Sequence, residues 1–111
     1  MAGTFLIVAS DTIGADPELG ALLTQSFFNS VGRVIDDPAT VWFVNRGVHL
    51  ALEGSPILDS LKEMSAKGWT IYSCGTCLDY FDATEILAVG EIGNMMLFEE
   101  LAFEAERVIS L

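Results

Sequence analysis

Two cysteines, Cys74 and Cys77, are the side chains in this 111-residue chain best suited to covalent chemistry, and only a Gly-Thr pair separates them. A thiolate, not a thiol, attacks sulfur and binds metal, and two thiols this close can pass through a transient disulfide. The pair follows an apolar run, Trp69 to Ser73, and precedes a segment with helical character from Thr76 to about Ala83. At such a strand-to-helix turn, free backbone N–H groups and the helix dipole favour the thiolate. Gly75 gives the turn its freedom, and Thr76 is placed to cap the helix, with Asp79 three residues on completing part of a capping box. Asp79 and the general acidity oppose this, because nearby carboxylates raise a thiol's pKa. The bland alternative is two small buried apolar residues. Two thiolates also make only half of a zinc site, and the one histidine, His49, is remote in sequence, so neither a metal nor a cofactor is expected.

These residues must be held by a single domain, residues 1–111, since the length leaves no room for two. Phe5 to Ala9 and Thr40 to Val44 are short apolar runs of the kind that form fully buried strands. Asp16-Pro17-Glu18 opens a helix in which Leu19, Leu22, Leu23, Phe27 and Val31 recur at helical spacing to about Val34. Asn45-Arg46-Gly47 breaks the second strand, and Val48 to Leu52 reads as a short helical turn. Ser55-Pro56 repeats the cap-then-proline signature for a helix ending at Lys67, with Gly68 as its stop. Ile86 to Val89 reads as a fourth strand, Asn94 caps a last helix through Ala105, and Val108 to Leu111 closes as a fifth strand. Strands alternating with helices predict an α/β fold, a mostly parallel five-stranded sheet with helices on both faces.

Ligands of parallel sheets gather beyond the carboxyl ends of the strands. Those ends carry Ser10-Asp11-Thr12, Asn45-Arg46 and the cysteine motif. Asp11 can orient a thiol or ligand, or simply cap its turn. Asn45 and Arg46 suit an anion such as a sulfur oxyacid, or form a solvated loop. His49 reads as a surface or packing residue. Asp11, Asn45, Arg46, Gly75 and Thr76 are therefore the candidate substrate-binding set around Cys74 and Cys77. Gly90-Glu91-Ile92-Gly93 lacks the setting of a phosphate loop.

Sixteen acidic against five basic residues give a net charge of −11, which argues against nucleic acid as a partner. No apolar run approaches the ~18 residues of a membrane span, and Met1 to Thr4 has no basic region before its apolar run, so a cytoplasmic location is expected. Hydrophobic residues make up 51% of the chain, high enough to suggest either a sheet covered on both faces or apolar surface hidden in an oligomer.

Ser73 to Tyr80, with Ala88 to Ile92 and Asn94-Met95, resembles the C-terminal domain of YedF proteins, sulfurtransferase-like proteins linked to selenium metabolism within the DsrE/DsrF/TusD-like family. Ser10 to Gly14, Leu50 to Pro56 and Val108 to Leu111 are similar to the same group. The resemblance implies a compact homo-oligomer, a trimer or hexamer, and a sulfur relay. In it Cys74 looks like the persulfide-bearing cysteine and the more exposed nucleophile, with Cys77 able to attack a persulfide or mixed disulfide on it. YedF proteins usually begin with a TusA-like sulfur-carrier domain, which is absent from this sequence. The resemblance therefore implies either that a TusA-like carrier or other persulfide donor acts as a partner in trans, or that the chain is a standalone homologue or a fragment. Arg46, His49 and Gly93 depart from the YedF pattern. The residues alone leave two other readings open: a non-catalytic oligomeric redox-sensing or ligand-binding module, and a thiol-disulfide oxidoreductase.

Overall fold

A computed structural model describes residues 3–111, so Met1 and Ala2 of the Met1 to Thr4 segment read above lie outside it. Five parallel strands form one sheet in the order β4-β3-β2-β1-β5. The strands are β1 (Thr4–Val8), β2 (Thr40–Phe43), β3 (Thr70–Cys74), β4 (Glu91–Gly93) and β5 (Arg107–Ser110). The helices are α1 (Pro17–Val34), α2 (Leu58–Ala66), α3 (Gly75–Tyr80) and α4 (Met95–Glu104), with 3-10 turns at Asn45–Ala51 and Thr84–Ile86. Among the described residues, no helix is long and apolar enough to cross a membrane.

Central position explains the composition of the strands. Val41, Trp42 and Phe43 of β2 are all buried, because β2 is flanked on both edges and covered on both faces. One face carries the larger core, where Leu6, Val41, Phe43 and Ile71 meet Phe28 of α1, Leu61 and Met64 of α2, and Leu78 of α3. On the other face α4 alone supplies the cover, laying Leu97, Phe98 and Leu101 over Phe5, Trp42 and Cys74.

Local signals placed two helix starts correctly. The Asp16 carboxylate accepts from the Leu19 N–H at 3.0 Å, and the Asn94 side chain accepts from the Leu97 N–H at 2.9 Å. Three expectations are corrected. The buried stripe of α1 is Gly20, Thr24 and Phe28, whereas Leu19, Leu22 and Leu23 face outward. The cause is a close approach: a Cβ on Gly20 would stand 2.7 Å from the Ile13 carbonyl oxygen. Thr24 Oγ1 also accepts from the Ile13 N–H at 3.2 Å, so the first turns of α1 dock through small and polar residues, and Phe28, with Phe27 and Val31, takes over farther along.

The second correction concerns the fourth strand, which is Glu91–Gly93 and not Ile86 to Val89. Thr84–Ile86 forms a 3-10 turn, and Leu87 makes only an isolated antiparallel bridge to Leu52. Gly90, at φ 86°, turns the chain onto the edge of β3. Trp42 then reaches across β3, and a Cβ on Gly93 would lie 2.7 Å from its ring, so a strand with one apolar residue suffices there. Third, α2 starts at Leu58, with no side-chain cap at Ile57. Ser55 Oγ instead accepts from the Ile57 N–H at 3.2 Å.

Candidate functional site

Strand order and glycine packing bring three loops together at the carboxyl end of the sheet. Gly47 sits directly on the end of β1, where a Cβ would fall 2.0 Å from the Val8 carbonyl oxygen. That contact, with the 3.0 Å bond from the Val44 N–H to Val8 O, seats the loop after β2 against the loop after β1. Asn45 occupies the left-handed region at φ 54°, a conformation asparagine tolerates. Its side-chain Oδ1 accepts from the Arg46 N–H at 2.8 Å, and its own N–H points at Cys77, donating to Sγ at 3.1 Å.

The cysteine motif differs from expectation in two respects. Helix α3 begins at Gly75, straight off β3, so Cys74 stands in the cap position and no side chain caps the helix. Thr76, the expected cap, is an exposed residue inside the first turn, and the Thr76–Asp79 capping box does not form. The physical reason is that the strand passes into the helix without the intervening residue a Thr76 cap needs. The order of exposure is also reversed: Cys74 is 3% exposed, packed under α4, while Cys77 is half-buried between the two cores. Cys74 points to the α4 face because residues alternate along β3. Both thiols are free.

Electrostatics at Cys77 are mixed. Burial pushes its thiol above the ordinary value, the Asn45 N–H pulls it down, and the neighbouring Cys74 thiol adds a smaller upward push. Burial outweighs the donated hydrogen bond at this cysteine, which favours the thiol. Gly75 lies close to β4: a Cβ there would meet Ile92 Cγ2 at 3.0 Å. Ser73, one residue before the motif, is fully buried with its Oγ unpartnered.

Asp11 and Arg46 meet as a two-pronged pair, Nε to Oδ1 and Nη2 to Oδ2, both at 3.4 Å. This engages the Arg46 guanidinium with a carboxylate. The pair is solvent-exposed, so its contribution to stability is at most about 1 kcal/mol. The structure thus links Asn45 to Cys77 and Arg46 to Asp11, and places Thr76 away from these contacts. Sequence reasoning missed the packing roles of Gly20 and Gly47, whose signal is only an isolated glycine beside a loop, and His49, read as a surface or packing residue, packs at a tilt against Phe81, ring centres 4.5 Å apart. Among the described residues, no group of three or more His, Cys, Asp or Glu side chains converges as a metal site would require.

An all-parallel five-stranded sheet, covered by three helices on one face and one on the other, with a Cys-x-x-Cys at the end of β3, defines a compact α/β class. The chain belongs to the DsrE/DsrF-like family, whose model matches residues 5–111. Three solved structures share the fold. The ychN protein from E. coli superposes with a TM-score of 0.78 at 14% identity, with 100% of both chains covered. MTH1491 from Methanobacterium thermoautotrophicum, described as a protein of unknown function, gives 0.71 at 14%, again over 100% of both chains. BT1422 from Bacteroides thetaiotaomicron, also described as of unknown function, gives 0.63 at 21%, over 97% of this chain and 94% of its own. No curated protein sequence matches this chain.

Proposed function

We propose that this protein is a cytoplasmic sulfur-relay protein that carries sulfane sulfur as a cysteine persulfide on the Cys74–Cys77 motif. Family membership supports the class of chemistry, and one observation carries the residue assignment: Cys77 is the more accessible thiol and already receives a backbone N–H on its sulfur. The expected order is therefore revised, with Cys77 as the point of entry and Cys74 as the second thiol.

The Cys77 thiolate attacks the outer sulfur of a donor persulfide, forming Cys77–S–S⁻ as the donor leaves as a thiolate. The Asn45 N–H steadies negative charge on Cys77 Sγ before attack and after release. An acceptor thiolate then takes the outer sulfur and regenerates the Cys77 thiolate. In the absence of an acceptor, the Cys74 thiolate attacks Sγ of the Cys77 persulfide, closing a disulfide and expelling hydrosulfide. That step oxidises two thiols and reduces the sulfane sulfur to sulfide. A TusA-like carrier protein is the proposed exchange partner, in line with a YedF-like origin, and selenium could take the same route as sulfur. Arg46 follows Asn45, which touches Cys77, and is paired with Asp11; these two, with Gly75 and Thr76 of the motif itself, are the residues proposed to meet the partner's persulfide.

A second reading has its own support. Deep burial of Cys74 and the raised pKa of the Cys77 thiol suit a redox-sensing or ligand-binding module whose thiols do not take up sulfur. Intact-mass measurement after exposure to a persulfide donor separates the two. The relay predicts a reductant-reversible gain of one sulfur that survives Cys74→Ser and disappears with Cys77→Ser. An adduct lost with Cys74→Ser alone would return the entry point to Cys74. No adduct on freely alkylatable thiols would leave the redox or binding module as the better account.

A further inference from the structure

Parallel strands put the segments that leave β1, β2 and β3 at one end of the molecule, and Cys77 stands at that end. Those segments, residues 9–16, 44–57 and 75–80, carry the carboxylates of Asp11, Asp16, Glu53 and Asp79, and their only lysine or arginine is Arg46. The same topology draws the other cations away. Arg33 lies in the last turn of α1, Lys67 at the end of α2 and Arg107 at the start of β5, all toward the opposite end of the sheet. Arg46 follows Asn45, whose N–H reaches Cys77 Sγ at 3.1 Å, so it is the cation best placed to receive an anion there. Asp11 holds that guanidinium by both Nε and Nη2, at 3.4 Å each. A carboxylate and a guanidinium in contact present almost no net charge at a distance. Cys77 is thereby left to the exposed Asp79 carboxylate, two residues on, and to the field of a chain of net charge −11.

We infer that Asp11 is a specificity-determining residue: by cancelling Arg46, it makes Cys77 select sulfur donors with positive charge beside the sulfur they give up. Anionic donors such as thiosulfate are turned away. The inference rests on the reading of Cys77 as the entry thiol. In water at low salt, a unit charge about 10 Å from the reacting sulfur changes a rate about twofold, in opposite senses for a cation and an anion. With Arg46 cancelled, the remaining carboxylates favour a cationic reagent over its anionic twin about fivefold. With Arg46 released, its guanidinium offsets Asp79 and the preference fades.

The test is the rate at which Cys77 of the Cys74→Ser chain reacts with two matched methanethiosulfonates, one ending in trimethylammonium and the other in sulfonate, read by intact mass. The thiolate attacks the sulfenyl sulfur, a disulfide forms, and methanesulfinate leaves with the electron pair, so no persulfide is needed. Each rate is divided by that of neutral methyl methanethiosulfonate on the same chain, which removes differences in access, and is scaled to a neutral free thiol. The wild-type chain, followed by loss of its first free thiol, gives the same comparison with Cys74 present. A cation-to-anion ratio of about fivefold is expected at low salt, falling toward one in about 1 M salt, where the Debye length is about 3 Å. Asp11→Asn is expected to lower the ratio about threefold. Asp37→Asn, the same change of charge on the exposed loop before β2, is expected to leave it as it was. Equal rates at low salt, a ratio indifferent to salt, or an Asp11→Asn chain that behaves like Asp37→Asn would overturn the inference. A chain that shows the ratio but gains no sulfur from a persulfide donor loses the relay and keeps this selectivity; one that gains sulfur at equal rates does the reverse.

Discussion

At the residue scale the decisive contest is at Cys77, between burial and a single backbone donor. Burial wins, so the thiol titrates above its ordinary range. Alkylation of Cys77 by iodoacetamide in a Cys74→Ser background is expected to rise with pH along a curve displaced upward from that of free cysteine. A midpoint at or below the free value would show that the Asn45 N–H outweighs burial. The same shift has a stability consequence of definite sign. The folded chain holds the Cys77 proton more tightly than the unfolded chain does. Its contribution is therefore fully present below the ordinary thiol pKa and is lost as pH rises through the folded value. Cys74 and Cys77 were legible as the chemical residues from type and spacing. Their order of exposure was not, because strand alternation and α4, which buries Cys74, are set by the fold and not by the motif.

Among the elements, the loop pair at the end of β1 and β2 depends on one absent side chain. Gly47→Ala is expected to cost about 1–3 kcal/mol, because the added methyl meets the Val8 backbone and no flexible side chain can yield. A thermal midpoint lower by about 5 °C or more would register it. An unchanged midpoint would show that the two loops are not locked together. Elements announced by their own neighbours, such as the Asp16 and Asn94 caps, could be read directly from sequence. Elements decided by a distant partner could not. The outward-facing Leu19, Leu22 and Leu23 mimicked a core stripe, while the true contact runs through Gly20 and Thr24, which hydrophobic periodicity does not count. Likewise β4 escaped notice because Trp42, half a chain away, supplies the apolar cover that Gly93 lacks.

For the whole molecule the sequence conveyed the class, five strands alternating with helices, and also the excess of apolar surface. Met95, Met96 and Phe103 of α4 point away from the sheet, Phe103 with 90% of its surface exposed. We propose that this outer face of α4 is covered by a second copy of the chain. Sedimentation is expected to show a species larger than the 12.0 kDa chain, and Met96→Glu with Phe103→Glu is expected to release monomers. A wild-type protein that sediments as a monomer at micromolar concentration would overturn that assignment.

The register of β1 has a consequence in time. Its two flanking strands arrive from opposite directions along the chain, with Phe5 beside Thr40 on one side and beside Val108 on the other. A chain emerging from a ribosome can lay β2 against β1 early, yet β1 keeps an open edge until roughly a hundred further residues have been made. Until then the nascent sheet presents unpaired backbone donors and acceptors to every neighbour. Strand β5, mostly solvent-facing and contributing little to the core, thus acts as the closing guard of a strand that carries one of the loops of the site.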